Sequence, residues 1–335
     1  MSAFSPSGSP RVRPSRLRAT APLRAIVSET RVQPNELVLP LFVKEGLREP
    51  RPIASMPGVV QHSLDSARRA VTEAAEAGVG GVMLFGVPES RDAVGSGATD
   101  LAGILAVATR AVVAEVGNSI VVQTDLCLDE YTDHGHCGVL DPCGRIDTGA
   151  TLDRYRAMAV VQAESGSQLL GLSGMVDGQV AAVRDELDAN GFAATAILAY
   201  SAKYATALYG PFRDAVESTL RGNRRSYQLD PANRREGVRQ AAIDIAEGAD
   251  IVMVKPASPY LDVLSDVASM SEVPVWAYQV SGEYAMVEAA AAAGFIDREM
   301  AIRESIVCIR RAGAAVVLSY WAVEVANALR LGAVN

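Results

Sequence analysis

Eight short apolar runs recur along the chain from Leu37 onward, and they constrain the fold more than any other feature. Each run ends in polar or glycine-bearing residues, and the stretches between runs are long enough for crossover helices. Near-continuous valine, isoleucine and leucine runs are typical of parallel strands buried on both faces. The runs are LVLPLFV from Leu37, GVMLFGV from Gly81, IVVQTDLCL from Ile120, SQLLGLSG from Ser167, TAILAYSAK from Thr195, DIVMVKP from Asp250, VPVWAYQVS from Val273 and AAVVLSY from Ala314.

Helix-like stretches separate these runs, for example residues 63–77, 152–163, 179–190 and 297–310. Eight strand–helix units predict an α/β fold, a (βα)8 TIM barrel that occupies residues 37–335. The chain of 335 residues is within the length range of a single barrel. A doubly wound open sheet is the alternative architecture.

The composition limits the kinds of molecule that the protein is expected to bind. Hydrophobic residues make up 49% of the chain and charged residues 21%, which is enough to build a large core. The net charge of −8 disfavours a general nucleic-acid binder, because such proteins need clustered cations. Uninterrupted apolar stretches stay shorter than the roughly 20 residues that span a bilayer. We therefore expect a cytoplasmic protein that acts on a small molecule, without nucleic-acid or membrane partners.

Residues 1–36 form a separate basic segment that precedes the first strand. Two interpretations fit this composition, a transit peptide or an extended N-terminal arm that docks on a neighbouring subunit. Three prolines, Pro10, Pro14 and Pro22, interrupt any long amphipathic helix, which favours the arm. The arginines of the segment are Arg11, Arg13, Arg16, Arg18, Arg24 and Arg31.

Barrel enzymes place their chemistry on the loops at the carboxyl ends of the strands. Polar residues at the predicted strand ends are therefore the candidate site residues, and they should converge on one rim. These residues are Asp125, Cys127, Ser173, Lys203, Lys255, Ser281 and Tyr320.

Two lysines, Lys203 and Lys255, end consecutive apolar runs and should emerge side by side above the barrel floor. Proximity of like charges and partial desolvation both lower the pKa of an ammonium group. A decrease of about three units raises the neutral, nucleophilic fraction at pH 7 on the order of a thousandfold. Such a pair suits amine attack on a ketone, and two structural, salt-bridged lysines are the alternative.

The loop after the third run, DLCLDEYTDHGHCG from Asp125, is rich in metal-binding side chains. Cys127 and Asp129 share a face of an extended segment, and the glycine-bearing loop returns Cys137 to them. Two thiolates and a carboxylate predict a zinc site with an open position, whereas the harder Asp129 would also admit magnesium. His134 and His136 are either further ligands or, as we favour, hydrogen-bonding support, and Cys143 is an alternative thiol.

A basic and aromatic segment follows the run that carries Lys203, and it is longer than a simple connection. An active-site lid over about residues 205–230 is the natural interpretation. Arginine can clamp a substrate carboxylate with two hydrogen bonds, although a solvated charge run would look the same. The lid candidates are Tyr209, Phe212, Arg213, Arg224 and Gln228.

Three segments, SAKYATALYGPFRDA, MVKPASPYLDV and DLCLDEYTDHGHCG, together resemble the porphobilinogen synthase (5-aminolaevulinate dehydratase) family, and the similarity extends through LSYWA near the end. The resemblance implies a (βα)8 barrel that assembles as a homo-octamer through its N-terminal arm. It also implies condensation of two 5-aminolaevulinate molecules to porphobilinogen, with loss of two waters, in tetrapyrrole (haem) biosynthesis. No organic cofactor is expected.

The same resemblance assigns roles to individual residues. Lys255 would form the Schiff base with the substrate that supplies the propionate side of the product, and Lys203 would bind the acetate-side molecule. Ser281 and Tyr320 match residues that hold the first carboxylate. The lid residues Arg213, Arg224 and Gln228 match those that serve the second substrate, Asp125 and Ser173 match polar residues of the cavity, and Tyr209 and Phe212 match its apolar walls.

The chain departs from the family's three-cysteine metal pattern, because Asp129 occupies the middle cysteine position while Cys127 and Cys137 remain. Glu236 matches a carboxylate that binds an allosteric magnesium ion in some members. Two rival functions are a lysine-dependent barrel enzyme of aldolase type and a non-enzymatic metal-binding assembly protein with the same fold.

Overall fold

The computed structural model describes residues 12–331, and its centre is a closed barrel of eight parallel strands. Neighbouring strands pair in chain order, and the last strand pairs with the first through Leu37 and Val317. The predicted (βα)8 barrel is thus confirmed, and closure rules out an open sheet. The barrel strands are β1 (Leu37–Lys44), β4 (Gly81–Val87), β5 (Val121–Leu126), β6 (Leu169–Leu172), β7 (Ala196–Lys203), β8 (Ile251–Lys255), β9 (Val275–Tyr278) and β10 (Val316–Leu318). Two short strands lie beside the carboxyl end of β1. β3 (Val60–His62) pairs with β1, and β2 (Arg51–Pro52) pairs with β3.

Helices cover the outside of the barrel. The four helical stretches predicted from sequence correspond to α2, α4, α5 and α10, and α4 begins earlier than predicted because Asp147 caps it by accepting from the Ala150 amide. The helices are α1 (Ala21–Ile26), α2 (Leu64–Ala77), α3 (Ile104–Val116), α4 (Thr148–Glu164), α5 (Gln179–Ala189), α6 (Gly210–Ala215), α7 (Arg234–Ala246), α8 (Leu261–Met270), α9 (Ser281–Ala292), α10 (Arg298–Arg311) and α11 (Ala322–Arg330).

The core lies between the strands and the helical layer. All seven residues of β4 are buried, as expected of a strand covered on both faces. Gly86 on this strand faces Leu105 of α3 and the loop residue Tyr131. A β-carbon at Gly86 would lie 2.7 Å from the Tyr131 hydroxyl oxygen, so glycine allows the loop that follows β5 to pack against the barrel.

One segment among the described residues, Ser96–Val116, is long and apolar enough to cross a membrane by length and composition alone. It comprises a short 3-10 turn and helix α3, and α3 packs on strands β4 and β5 and on helix α2. Its place in the helical layer of the barrel accounts for its apolar composition.

The segment before β1 stands apart from the barrel core. From residue 12 to residue 30 no side chain is buried, and Ile26 of α1 is 74% exposed. Residues 1–11, including Arg11, and residues 332–335 lie outside the described residues, so the predicted arm is described only from Val12.

Candidate active site

Lys203 and Lys255 lie at the same level of the barrel, because they are register partners at the carboxyl ends of β7 and β8. An irregularity in β7 between Ala199 and Ala202 brings them into this register. The two side chains are only 4% and 5% exposed. The chain has three lysines in all, the third being Lys44 at the end of β1, so two of three lie in one buried site.

Aromatic rings surround the Lys255 amine. Its Nζ lies 4.2 Å from the ring centre of Tyr278, 5.0 Å from that of Tyr200 and 5.5 Å from that of Phe212. Burial and the neighbouring Lys203 charge lower the pKa of Lys255 to about 7. The lowered pKa increases the fraction of neutral Lys255 amine near pH 7, which is the nucleophilic form.

Lys203 connects to a buried carboxyl group through Ser173. The Lys203 ammonium donates to the Ser173 carbonyl oxygen, and the Ser173 hydroxyl donates to Asp125 Oδ2 at 3.0 Å. Burial, together with the Asp129 charge, raises the pKa of Asp125 to about 7. A carboxyl group with this pKa can both give and take a proton near neutral pH.

The predicted metal ligands Cys127, Asp129 and Cys137 come together in the loop after β5. One ligand atom from each lies within 4.8 Å of the others, and all three residues are buried. Burial and the Cys137 contact raise the pKa of Cys127. Burial also acts on Cys137, but the hydrogen bond from Cys127 and the charge of Arg224 outweigh it and lower the pKa of Cys137. Two cysteine sulfurs and a carboxylate at this spacing fit a divalent metal ion.

A second group of carboxyl side chains overlaps this one and was not predicted. Asp125, Asp129 and Glu130 also place one oxygen each within 4.8 Å of the others. Glu130 is buried, and its Oε1 has no hydrogen-bond partner within the part of the chain that the structure describes. Burial and the Asp129 charge raise the pKa of Glu130 well above its usual value.

The loop after β5 that carries Cys127, Asp129 and Cys137, called the metal loop below, is joined to the lid by a buried ion pair. Arg224 of the lid donates to Asp129 Oδ2 at 2.8 Å and to the Gly135 carbonyl oxygen at 2.8 Å. Burial alone would raise the pKa of Asp129, but the Arg224 and Lys203 charges outweigh it and hold the pKa well below its usual value. Asp129 is therefore a carboxylate, available either to Arg224 or to a metal ion.

The histidines of the loop reinforce the same connection. His136 contacts the Tyr227 hydroxyl at 3.0 Å and the Arg221 carbonyl oxygen at 3.0 Å, and the Arg221 amide donates to the His134 carbonyl oxygen. The His136 ring thus lies within the hydrogen-bonded contact between loop and lid, whereas the His134 ring contacts the Ala93 carbonyl oxygen and accepts from the His136 amide. This arrangement agrees with the supporting role that we favoured over metal ligation.

The lid closes over a very small inner cavity. Its volume of about 20 Å³ has room for a single water molecule. A larger, outer cavity of about 680 Å³ is lined mostly by the same segment, and Arg213 and Arg224 line both cavities. The inner cavity is lined by Phe85, Asp125, Asp129, Ser173, Lys203, Tyr209, Phe212, Arg213, Arg224 and Lys255.

The remaining predicted residues lie around this cavity or away from it. Ser281 accepts from the Phe212 amide at 2.9 Å, and the Tyr320 hydroxyl lies 3.2 Å from that of Tyr278. Gln228 lines the outer cavity. Glu236 is exposed in the first turn of α7 and lies outside both cavities.

Sequence reasoning missed three side chains of the site, Glu130, Tyr200 and Tyr278. Tyr278 ends β9, so the strand-end rule that selected the lysines would also have found it. Tyr200 lies three residues before Lys203 in a buried stretch of β7, and nothing in that pattern distinguishes it from a core residue. Glu130 directly follows Asp129 in sequence, and the metal pattern includes Asp129 but not Glu130.

A closed (βα)8 barrel with a lid-covered, amine-bearing cavity at the carboxyl ends of its strands defines a barrel enzyme. Residues 11–328 match the family described as Delta-aminolevulinic acid dehydratase. A relative of that name from Streptomyces coelicolor is 59% identical and covers 96% of this chain and 98% of its own length. One from Mycobacterium tuberculosis is 58% identical over 97% of this chain and 99% of its own length.

A solved structure gives the same answer. The delta-aminolevulinic acid dehydratase (porphobilinogen synthase) of Toxoplasma gondii, in complex with its reaction product porphobilinogen, matches with a TM-score of 0.92 at 40% identity, covering 94% of this chain and 91% of that chain. The chain belongs to the delta-aminolevulinic acid dehydratase family, and it is thus a lyase.

Proposed function

We propose that this chain condenses two molecules of 5-aminolaevulinate to porphobilinogen, with loss of two waters, through Schiff bases on Lys203 and Lys255. The observation that carries the proposal is the register pairing of these two lysines inside one buried cavity. A single lysine would suffice for an aldolase-type enzyme. Two amines at one level allow two keto substrates to be held side by side.

Lys255 is the primary nucleophile in this proposal. Its neutral amine attacks the substrate ketone carbon, and loss of water from the adduct leaves an iminium that acidifies the adjacent carbon. The rings of Tyr278 and Tyr200 stabilise the cationic iminium as they do the ammonium. By resemblance to the family, this molecule supplies the propionate side of the product.

Asp125 and Ser173 handle protons beside Lys203. Water leaves the substrate adduct only when its hydroxyl group is protonated, and the Asp125 carboxyl, with its pKa of about 7, can donate that proton. Ser173 connects the two groups, because its hydroxyl contacts Asp125 and its carbonyl oxygen contacts Lys203. Lys203 holds the second substrate, which supplies the acetate side.

The substrate carboxylates are assigned to two places. Arg213 and Arg224 line both cavities. They can therefore bind a substrate carboxylate in the outer cavity and stay in contact with it as the substrate enters the inner one. Gln228 adds an amide on the outer side. Ser281 and Tyr320 serve the carboxylate of the first substrate, while Tyr209 and Phe212 form the apolar wall.

Cys127, Asp129 and Cys137 would hold a zinc ion, since their ligand atoms are already together. A zinc ion bound there would polarise a substrate oxygen as a Lewis acid. Arg224 pairs with Asp129 through Oδ2, which leaves Oδ1 of the same carboxylate as a further oxygen for the metal.

Glu236 is proposed to bind magnesium by resemblance alone. Its carboxylate accepts from Asn233 at 3.0 Å, and Arg234, Arg235 and Arg239 line the same surface pocket. A second carboxylate, Asp266, lines the pocket but is paired with Arg234, so the described chain offers the ion two carboxylates among several cations. Waters or ligands from another subunit would have to complete the six-coordinate shell that magnesium requires.

Residues 1–36 are proposed as the arm of a homo-octamer. Support comes from apolar side chains without cover, because Val12, Leu17, Ile26 and Val27 are exposed in the described part of the arm. A neighbouring subunit would bury them. A cytoplasmic location is part of the same proposal, and it agrees with the unpaired thiols Cys127 and Cys137, which are free although close together.

Reduction with borohydride in the presence of 5-aminolaevulinate tests the proposal. With only three lysines in the chain, peptide mass spectrometry assigns any adduct without ambiguity. We expect adducts at Lys255 and Lys203, and porphobilinogen as the product before reduction. Adducts with an aldol-type product would indicate the aldolase alternative, and the absence of any adduct at Lys255 would favour a non-enzymatic protein.

A further inference from the structure

Glu217 lies two residues after the end of the lid helix α6. Its backbone φ is 52°. Left-handed φ values cost energy for residues other than glycine, and they persist where the surroundings hold them. Among the described residues, only Met175 and Glu217 combine a positive φ with a side chain. The position therefore calls for contacts that offset the strain.

The Glu217 carboxylate is held by two cations from the barrel rim. Lys44 at the end of β1 donates to Oε2 at 2.9 Å, and Arg51 of β2 pairs with Oε1. Lys44 is 12% exposed and Glu217 is 35% exposed, so this ion pair is better shielded than an ordinary surface pair. Burial raises the pKa of Glu217, but the Lys44 hydrogen bond and charge outweigh it, so the pKa lies below its usual value.

The backbone beside Glu217 is held as well. Gln61 of β3 donates to the Ala215 carbonyl oxygen at 2.7 Å, and Arg91 donates to the Val216 carbonyl oxygen at 2.9 Å. Arg91 also donates to the Glu130 carbonyl oxygen at 2.7 Å, which connects the lid to the metal loop. Three consecutive lid residues are thus fixed by side chains from outside the lid.

We propose that Glu217 is a positioning residue, an anchor that fixes the middle of the lid to the rim of the barrel through Lys44 and Arg51. This inference rests on the proposed function, because it assigns the anchored lid a role in binding the substrate carboxylate. Arg213 precedes the anchor and Arg224 follows it, so each arginine sits on a short tethered segment. All three lysines of the chain then serve one site, two within the cavity and one at the lid.

The physical reason for such an anchor is conformational entropy. A lid of about 26 residues that is tethered only at its ends samples many conformations. Closure of the arginines on a carboxylate restricts the lid to few of them, which costs conformational entropy. A fixed point in the middle shortens the free segments and reduces that cost. The anchor therefore affects substrate binding more than the chemistry at Lys255.

Four variants test the anchor. Glu217→Gln removes the charge and keeps the shape, Lys44→Met removes the partner, and Glu217→Gly removes the side chain while relieving the positive φ. Glu115→Gln is the matched control, because it breaks a surface ion pair with Arg68 far from the lid. The readouts are KM and kcat for 5-aminolaevulinate and the rate of tryptic cleavage within the lid, where Arg221 and Arg225 are exposed.

In Glu217→Gln and Lys44→Met we expect KM to rise by about threefold to tenfold while kcat stays within about twofold. Lid cleavage should accelerate by a similar factor, and the control should match the wild type in both readouts. Glu217→Gly distinguishes an anchoring role of the side chain from an effect of backbone strain alone. An anchor predicts the same rise in KM, whereas a purely structural role predicts an unchanged KM and a more stable protein.

Wild-type KM and cleavage rates in both Glu217 variants would overturn the anchor. The cleavage assay needs no substrate, so it decides the question even if the proposed function fails. Absence of turnover in the wild-type protein would refute the proposed function, and faster lid cleavage in Glu217→Gln and Lys44→Met would still support the anchor.

Discussion

Lys203 and Lys255 are directly opposite each other across β7 and β8, so two amines share one buried cavity above the barrel floor. The rings of Tyr200, Phe212 and Tyr278 form an aromatic cage around the Lys255 amine. Lys203 donates a hydrogen bond to the Ser173 carbonyl oxygen. The two lysines therefore differ in environment although they match in position. In the proposed function, this asymmetry assigns Lys255 as the first nucleophile and Lys203 as the residue that holds the second substrate.

Replacement of Lys255 by alanine should reduce turnover by at least about a thousandfold, because the iminium cannot form without the amine. The protein should remain folded by circular dichroism. In Lys203→Ala, turnover should also be lost, but borohydride should still trap a single substrate at Lys255. Activity of Lys255→Ala within tenfold of wild type would contradict the assignment.

The rate of Schiff-base trapping at Lys255 should rise with pH through a midpoint near 7. Below that pH the ammonium form predominates and cannot attack, and above it the neutral amine predominates, as the lowered pKa of about 7 requires. In Lys203→Met the midpoint should move to higher pH, since one of the causes of the lowered pKa is removed. A midpoint that stays in place would show that burial alone sets the pKa.

Zinc should bind more weakly here than at a site with three thiolates, because Asp129 supplies a harder ligand and is already paired with Arg224. We expect a chelator to reduce activity and zinc to restore it. Asp129→Cys should retain more zinc during dialysis, measured by elemental analysis. Full activity without bound zinc in Cys127→Ala/Cys137→Ala protein would rule out a catalytic metal at this loop.

Deletion of residues 1–30 should produce smaller oligomers, because the exposed apolar side chains of the arm have no cover within the described chain. Light scattering measures the mass directly. The barrel itself should keep its thermal stability to within a few degrees, since no residue between 12 and 30 is buried in its core. An unchanged mass would show that assembly does not depend on the arm.

Local sequence patterns were enough to predict the barrel. Each strand is a run of buried apolar residues with its own end signal, and a parallel arrangement places all those ends on one rim. Lys203, Lys255, Asp125 and Ser173 were found in this way, since strand ends are visible without knowledge of distant contacts. The position of Cys137 near Cys127 also followed from a short loop with glycines.

Contacts between distant parts of the chain were decided only by the tertiary structure. The Asp129–Arg224 pair spans 95 positions, and the Lys44–Glu217 pair spans 173. Neither pair leaves a local pattern, because an ion pair depends on where the fold brings two side chains and not on what surrounds each in sequence. The aromatic cage of Lys255 likewise combines rings from β7, β9 and the lid.

The sequence by itself determined the architecture, the rim on which the site lies and the amines that define its chemistry, because strand period and strand ends are local properties. Only the tertiary structure decided that the inner cavity has a volume of about 20 Å³, that Arg224 pairs with Asp129, and that Glu217 pairs with Lys44 of β1. These features depend on the packing of a long connection against loops from other strands. Packing of that kind is a property of the whole chain.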